Sequence, residues 1–557
     1  MRTGPQKKLR PLPLGAGFCT DFRPVLTGPF DKKPFFCAQA VSLSGQREMK
    51  VLFYVQMIGP GTCAAQAAEA FRTFFTFSAR HTPQPDREGH VHAIVQRPDH
   101  GITEGVIWKQ LLIFFFPIML GTFFQQLYNT VDAVIVGQFV GKEALAAVGG
   151  STGTLINLLV GFFVGLSSGA TVIISQYYGA YRPAETSEAV HTATALGIAG
   201  GLVFMVIGLV ISPAALTLMG TPDDIFDLAV SYIRIYFLGM VFNLVYNMGA
   251  GILRAVGDSK RPLYFLIFCT LLNVVLDFLF VVGLGLGANG AAIATILCQA
   301  VSAVLVMFTL MRSDDVYRVR LRELRFSLPI LRDIVRIGLP AGLQSVIYNI
   351  SNIIVQSTIN GFGTNIIAAW TANGKIDGIF WMIMGAFGTA TTTFSGQNFG
   401  AQKYGRIRRC VRVCTLMALL AAGLISFVVL VFGPYIFRIF TSDEGVIASG
   451  MQIIHALAPF YFTYVCVEVI SGTVRGAGDS FWPMIITCFG VCVGRILWLL
   501  FVVPQYHTIE MLVWGYPISW ALTSILFIVY YLQGGWLRRS IRKGRLRAGG
   551  SRKKAPV

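Results

Sequence analysis

Residues 251–262, Gly-Ile-Leu-Arg-Ala-Val-Gly-Asp-Ser-Lys-Arg-Pro, recur as residues 472–483, Gly-Thr-Val-Arg-Gly-Ala-Gly-Asp-Ser-Phe-Trp-Pro, 221 positions further along the chain. Two other short matches have almost the same offset: residues 128–129 match 348–349, and residues 176–180 match 397–401. Repetition at one fixed offset is the signature of a duplicated structural unit. We therefore predict that the chain contains two copies of one fold.

Each copy consists of long apolar segments separated by short polar ones. The chain is 54% hydrophobic and 13% charged, whereas soluble proteins carry about 25% charged residues. This composition excludes an ordinary soluble enzyme. A helix needs about 20 largely apolar residues to cross the ~30 Å hydrocarbon core of a bilayer. Twelve segments meet this requirement: 108–133, 146–170, 190–212, 228–250, 262–284, 287–310, 332–356, 365–389, 411–433, 449–471, 484–505 and 512–534.

The sequence therefore predicts an all-α polytopic membrane protein with twelve transmembrane helices in two pseudo-symmetric six-helix lobes. The first lobe covers residues 102–315 and the second residues 316–535. An even number of helices per copy gives both copies the same orientation, so an axis along the membrane normal relates them. The binding site of a carrier with such repeats lies between the copies, near the middle of the membrane.

The basic residues that produce the net charge of +18 are distributed in register with the predicted helices. Lysine and arginine are concentrated after the even-numbered helices and at the C-terminus, in residues 254–261, 312–336, 403–412 and 538–554. Short basic loops stay cytoplasmic, so both termini are predicted to be cytoplasmic. Residues 536–557 form a basic cytoplasmic tail, and its charges indicate topology and contact with lipid headgroups rather than a nucleic-acid site.

Residues 1–101 differ from the rest because they contain no apolar segment long enough to cross a bilayer. No apolar stretch follows the basic residues near the start, which argues against a signal peptide. His90 and His92 lack further ligands at a defined spacing, so no metal site is predicted. We interpret this stretch as a disordered or mis-assigned N-terminal extension, with the working protein beginning near Ile102.

Two acids lie within the first six predicted helices. A charged residue in a membrane helix costs at least about 2.5 kcal/mol on insertion scales, so Asp132 and Asp277 each need a physical reason. Asn273 precedes Asp277 by one helical turn and shares its face, and Thr295 adds a hydroxyl from the sixth helix. Removal from water favours the protonated form of a carboxyl, so the pair is a candidate proton carrier. The same oxygens also suit Na⁺.

The alternative is that each Asp is a buried hydrogen-bonding residue that ties helices together. The repeat argues against this alternative, because Asp132 corresponds to Asn352 and Asp277 to Trp498 in the second copy. The second copy keeps the fold without either acid. This asymmetry favours a functional role for the two acids of the first copy.

The second copy has its own charged residues within predicted helices: Lys375, Asp377, Glu468 and Arg495. Lys375 and Asp377 are too close in sequence to face each other on a helix, so we expect each to have a partner elsewhere. Glu468 and Arg495 are predicted to pair across helices. Structural ion pairs are favoured here over a polar site for cargo.

Several segments of the sequence resemble those of the multidrug and toxic compound extrusion (MATE) family, specifically of its DinF-like bacterial and archaeal branch. Residues 116–137, Phe-Pro-Ile-Met-Leu-Gly-Thr-Phe-Phe-Gln-Gln-Leu-Tyr-Asn-Thr-Val-Asp-Ala-Val-Ile-Val-Gly, are similar to that family's first helix. The Arg-x-x-Gly-Asp-x-x-x-Pro segments at 254–262 and 475–483 resemble its loop signature. Asp132, Asp277, Asn273 and Thr295 resemble the branch's proton site, and Pro117 its helix-1 kink.

The resemblance implies a V-shaped, multi-pass transporter of the plasma membrane that is not an enzyme and needs no cofactor besides H⁺ or Na⁺ as the coupling ion. It implies a monomer that exports lipophilic or cationic organic compounds, contacts membrane lipids and binds no nucleic acid.

Two other functions remain open from the residues alone. A flippase for a lipid-linked or polysaccharide precursor is expected to have several cations in its cavity, but chiefly Lys375 and Arg495 are available. A membrane enzyme or receptor is expected to bring catalytic groups or a phosphate-binding motif together, and none was found in the predicted helices.

Overall fold

The computed structural model describes residues 36–42, 51–57, 102–506 and 508–542, and the chain divides into two units, Met1–Gln96 and Arg97–Val557. Within the first unit, β1 (Phe36–Ser42) pairs antiparallel with β2 (Val51–Met57), with Phe36 opposite Met57. The all-α prediction did not include this pair of strands. The rest of the predicted N-terminal extension lies outside the described residues.

The second unit is helical. Its helices are α1 (Ile107–Phe139), α2 (Lys142–Gly179), α3 (Pro183–Leu218), α4 (Asp223–Leu238 and Met240–Ala255), α5 (Lys260–Gly283), α6 (Gly287–Arg312), α7 (Leu328–Ile359), α8 (Thr364–Gly400), α9 (Tyr404–Arg438), α10 (Glu444–Gly476), α11 (Phe481–Tyr506) and α12 (Ile509–Leu532). Residues 535–542 add a short helical segment after α12, and the remainder of the predicted basic tail lies outside the described residues.

The twelve predicted membrane helices correspond one to one with α1–α12. Nine of these described helices have the length and composition of a membrane span, and α4 adds a tenth whose two halves meet at 46°. α7 and α8 are less apolar but contain 32 and 37 residues, which at 1.5 Å per residue exceeds the ~30 Å needed. The predicted fold class, an all-α polytopic membrane protein, is confirmed.

Local sequence sets several helix boundaries. The Asp443 carboxylate accepts from the backbone nitrogens of Gly445 and Val446 at 2.8 and 3.1 Å and caps α10. The Thr508 hydroxyl accepts from the Met511 nitrogen at 3.4 Å at the start of α12. Such side-chain oxygens satisfy amide groups that have no partner inside the helix.

The first six helices meet the last six along a seam of small residues. Gly161, Gly165 and Gly169 of α2 follow one another at four-residue intervals and therefore lie on one face. A Cβ atom at Gly169 would lie 2.6 Å from the Gly338 nitrogen of α7, and one at Gly338 would lie 2.9 Å from the Leu166 Cα. The two backbones touch, so no larger residue fits at these positions.

The bundle has one end where α2–α3, α4–α5, α6–α7, α8–α9 and α10–α11 connect and where α1 begins; this is called the basic end. Backbone conformations at this end repeat at the 221-residue offset. Tyr181 and Gln402 have positive φ angles of 54° and 58°, and Gly257 and Gly478 have φ angles of 101° and 90°. Residues other than glycine rarely adopt φ angles near 90–100°. This explains why both Arg-x-x-Gly-Asp segments contain glycine at these two positions, Gly257 and Gly478.

Side chains bridge the two halves at the basic end. Gln176 of α2 donates to the Gly476 carbonyl at 2.8 Å, and Gln397 of α8 donates to the Ala255 carbonyl at 2.7 Å. Arg406 of α9 donates to the carbonyls of Glu104 and Gly105 at 2.8 and 2.9 Å. The segment before α1 is thereby held against the second half.

Candidate functional site

The four residues predicted from the first half come together from three helices. The Thr295 hydroxyl of α6 donates to Asp132 Oδ2 of α1 at 3.3 Å. Asp277 and Asn273 of α5 are neighbours of the same carboxylate. The exposed fractions are 7% for Asp132, 2% for Thr295 and 0% for Asn273 and Asp277. These four residues are called the acid cluster.

Most polar atoms of the acid cluster lack a hydrogen-bond partner with good geometry. Among the described residues, no such partner is found for Asp132 Oδ1, for either Asp277 oxygen, or for either amide atom of Asn273. Burying such atoms is costly unless something satisfies them, and two adjacent carboxylates repel each other unless a proton or cation lies between them. The donor set of carboxylate, amide and hydroxyl oxygens suits H⁺ or a hard cation such as Na⁺.

Three residues that the sequence reasoning missed surround the acid cluster. The Tyr128 hydroxyl interacts with Thr295, and Gln299 donates to the Tyr236 hydroxyl at 3.4 Å. Tyr128 precedes Asp132, and Gln299 follows Thr295, by four residues, so helical periodicity places each on the same face as its neighbour. Tyr236 comes from α4 and carries no comparable signal in the sequence.

A cavity of about 140 Å³ lies beside the acid cluster, between α1, α4, α5 and α6. Tyr128 and Gln299 belong both to its wall and to the surroundings of the acid cluster. Arg254 is the one charged side chain among the described residues that line the cavity. Its other polar side chains include Gln125, Asn243, Tyr246, Asn247 and Ser302, and its apolar ones include Ile118, Leu263 and Leu266.

Pro117 lines the same cavity from α1. The helix runs without interruption from Ile107 to Phe139, with Pro117 in its interior. Proline cannot donate the usual backbone hydrogen bond there, and the predicted kink at this position stays a prediction.

In the second half, the prediction that Glu468 pairs with Arg495 is wrong. Glu468 Oε2 accepts from the Tyr464 hydroxyl at 3.4 Å, and its Oε1 lies against Gly388. Arg495 donates instead to Asn352 Oδ1 at 3.3 Å. The two helices do approach each other, but the side chains project toward different neighbours, which spacing along a single helix does not determine.

Asp377 and Lys375 also differ from each other in their surroundings. Asp377 accepts hydrogen bonds from the Tyr461 hydroxyl and from Asn373 Nδ2, the latter at 2.9 Å. These partners agree with the expectation that it is bound elsewhere than to Lys375. The partner expected for Lys375 is not found: the side chain is exposed, and it forms no ion pair among the residues that the structure describes.

An aromatic cluster lies among these polar groups. Trp520 of α12 is its centre, with ring centroids of Trp381, Tyr464 and Tyr516 each 5.7 Å away. Trp381 and Tyr464 are 4.8 Å apart and nearly perpendicular, an arrangement that aromatic pairs favour. These rings pack the interior of the second half and separate Asp377, Glu468 and Arg495 from one another.

The described residues contain no group of three or more His, Cys, Asp or Glu side chains that could hold a metal ion. A catalytic metal centre built from such ligands is therefore absent from residues 36–42, 51–57, 102–506 and 508–542.

Comparison with known proteins gives two matches to one family model. The MatE family model matches residues 117–279 and 340–499, which together make up more than half of the chain. The two matched ranges correspond to the two copies that the sequence repeat predicts.

Two curated relatives and one solved structure extend the comparison. The probable multidrug resistance proteins YoeA and YpnP of Bacillus subtilis (strain 168) are 29% and 28% identical to this chain; each alignment covers 78% of it, and 96% and 97% of the respective relative. A crystal structure of MATE in the straight conformation superposes with a TM-score of 0.73 at 24% identity, over 80% of this chain and 98% of that one. At this identity the structure supports the fold alone.

Proposed function

Because the chain belongs to the MatE family of membrane transporters, we propose that it is a secondary active antiporter that exports amphipathic, often cationic organic compounds in exchange for H⁺ or Na⁺. YoeA and YpnP, both described as probable multidrug resistance proteins, support this class of cargo. The chain acts as a transporter and not as an enzyme.

The acid cluster carries the proposal. Two neighbouring carboxyls with unpartnered oxygens, Asp132 and Asp277, are buried beside a cavity with polar walls. Such a pair is costly in a membrane protein, and binding of H⁺ or Na⁺ removes the cost. A static structural role is a weaker explanation, because the atoms of Asn273 and Asp277 make no hydrogen bonds of good geometry to neighbouring described residues.

Coupling needs only that the ion and the cargo weaken each other's binding. When H⁺ or Na⁺ binds the acid cluster, the negative charge beside the cavity is neutralised. It then no longer offsets the positive charge of Arg254 in the cavity wall, and a cationic cargo loses its electrostatic attraction. By linkage, cargo lowers ion affinity by the same factor. Tyr128 lines the cavity and interacts with Thr295 of the acid cluster, so it is the residue through which the two sites contact each other.

Alternating access follows from the two halves. We assign the basic end to the cytoplasm by the distribution of Lys and Arg, which makes both termini cytoplasmic in a plasma-membrane protein. The bonds of Gln176, Gln397 and Arg406 hold the halves together at that end. This arrangement fits a state that is closed to the cytoplasm and ready to exchange cargo for the ion outside.

In this proposal the two moving lobes are residues 102–315 and residues 316–535, and they rotate relative to each other about the α2–α7 seam. We propose that the unit works as a monomer in contact with membrane lipids, because each copy of the repeat supplies one wall of the space between the lobes.

Transport in proteoliposomes tests the proposal. Purified protein is reconstituted and export of a fluorescent cationic dye is measured with a pH gradient or a Na⁺ gradient imposed separately. Export is expected under one gradient, and Asp277→Asn and Asp132→Asn are expected to abolish its dependence on that gradient. Asp224→Asn, at the exposed start of α4, is the matched control. Gradient-driven export that survives both substitutions would overturn the assignment, and absence of dye movement under both gradients would favour the flippase alternative.

A further inference from the structure

The second half carries a buried cation where the first half carries its acids. At the repeat offset of 220–221, Tyr128, Asp132 and Thr295 correspond to Tyr348, Asn352 and Tyr516. These three residues of the second half surround the guanidinium of Arg495. Its carbon atom lies 3.8 Å from the centre of the Tyr516 ring and 5.8 Å from that of Tyr348, and its Nη1 donates to Asn352.

This guanidinium has no carboxylate partner among the described residues. Arg495 is 1% exposed, and its Nε and Nη2 lack a hydrogen-bond partner with good geometry, although the Tyr348 hydroxyl lies near it. Asp377 and Glu468, two acids within helices of the same half, accept hydrogen bonds from Tyr461 and Tyr464. A buried charge that lacks a counter-charge is costly, so the site has a free capacity for an anion.

The free edge of Arg495 has a specific geometry. Nε and Nη2 lie on one side of the planar guanidinium and present two parallel N–H groups, which match the two oxygens of a carboxylate. Contact with the Tyr516 face and the bond to Asn352 fix the plane of the group, so little ordering is needed when an anion binds.

Asn352 holds Nη1, on the side of the guanidinium opposite this edge, and its position indicates the region from which a ligand approaches Arg495. Gly338, Gly342 and Ser345 of α7 pack against α2. Asn352 follows Ser345 by seven residues, two helical turns, and therefore continues the same face of α7 beyond the contact. It is exposed there, so it borders the space between the two halves, and Arg495 lies one hydrogen bond behind it.

We propose that Arg495 binds a carboxylate of the cargo, so that this one side chain sets how strongly a cargo with a carboxylate is preferred over the same cargo without it. The inference rests on the proposed export function and names a specificity-determining residue for it. A cargo with both an amine and a carboxylate is attracted to the negative first half and the positive second half, whereas a simple cation uses the first half alone.

Ligand binding to the purified full-length protein tests this inference without a gradient. The probes are a fluoroquinolone with a free amine and a free carboxylate, its methyl ester, and a cationic dye; affinities are measured by calorimetry. A charge-assisted bidentate contact predicts that the wild type binds the acid about tenfold or more tighter than the ester. Arg495→Gln is expected to bind acid and ester equally and to keep its affinity for the dye, and Arg495→Lys is expected to show an intermediate preference.

The control is Arg438→Gln, an exposed arginine whose guanidinium pairs with Glu444 at 3.1 Å, which should keep the full preference. Equal affinities of acid and ester in the wild type would overturn the inference, as would a preference that persists in Arg495→Gln. If Arg495→Gln does not fold, the acid–ester comparison in the wild type and Arg495→Lys still decides. If the preference for the acid over the ester depends on Arg495 but proteoliposomes show no gradient-driven transport, the proposed export function is wrong and the carboxylate-binding site is still supported.

Discussion

Gln176 and Gln397, 221 residues apart, make the same hydrogen bond in opposite directions across the molecule. Gln176 donates to the Gly476 carbonyl, and Gln397 donates to the Ala255 carbonyl, which is itself 221 residues before Gly476. Both acceptors lie within the Arg-x-x-Gly-Asp segments that repeat in the sequence, directly after the arginine. The segments repeated most clearly in the sequence thus form the contact between the two halves at the basic end.

This reciprocity predicts how the basic end opens. Gln176→Ala and Gln397→Ala each remove one hydrogen bond worth about 1 kcal/mol, so each should raise hydrogen–deuterium exchange of residues 251–262 and 472–483, and the double variant more so. Gln356→Ala is the control, because the exposed Gln356 side chain donates to Asn360 of the following turn, at 3.0 Å and within the same half. Exchange that rises equally in the control, or not at all, would mean that these bonds do not hold the end closed.

The seam between α2 and α7 predicts a second effect, on stability. Gly169→Ala brings a methyl group against the backbone of Ile334 and Gly338, and overpacking of this kind costs about 1–3 kcal/mol. The measurement is Tm, which should fall. Gly423→Ala in α9, where an added Cβ meets nothing within 4 Å, should leave Tm unchanged or raise it, since alanine is the better helix former. A similar fall in both variants would argue against backbone contact at the seam.

Two acids within helices of the second half, Asp377 and Glu468, are predicted to be structural. Asp377 and Glu468 accept hydrogen bonds from Tyr461 and Tyr464 inside the aromatic cluster. Asp377→Asn and Glu468→Gln keep an accepting oxygen, so gradient-driven dye export should persist in proteoliposomes, with at most a lower Tm. Loss of coupling in Glu468→Gln with normal stability would move the ion site into the second half.

Arg406 is predicted to anchor the segment before α1. It donates to the carbonyls of Ile102, Glu104 and Gly105 and to Gln110 Oε1. Arg406→Ala should therefore speed limited proteolysis at residues 102–106. Arg409→Ala, which removes an exposed arginine from the same helix, should not change the cleavage rate; acceleration in both variants would indicate a general loss of stability instead.

The helices could be predicted from the sequence because each apolar segment is by itself long enough to cross the hydrocarbon core of a bilayer. The acid cluster could also be predicted from the sequence. Asp132 and Asp277 are isolated charges in apolar helices, and the second copy of the repeat has no acid at the corresponding positions. Asn273 and Thr295 followed from helical spacing and from resemblance to the family.

The partners of Arg495 and the position of Tyr236 could not be predicted from the sequence. Periodicity along α11 gives the face on which Arg495 lies but not the helix opposite, and Glu468 and Asn352 were equally compatible with it. The structure selects Asn352 because α7 packs closer to that face. Tyr236 lies just before the 46° bend in α4, and the residues of α4 that line the cavity lie after it; the bend was not predicted from the sequence.

The proposed antiport depends on competition between ion and cargo at the acid cluster, and a binding measurement can detect this competition. The affinity of the wild type and of Asp277→Asn for a cationic dye is measured over a range of pH and of Na⁺ concentration. Wild-type affinity for the dye is expected to fall as the concentration of H⁺ or Na⁺ rises, since the coupling ion and the cargo exclude each other, and Asp277→Asn is expected to lose this dependence. An Asp277→Asn variant whose dye affinity still falls with H⁺ or Na⁺ as steeply as that of the wild type would contradict competition at the acid cluster.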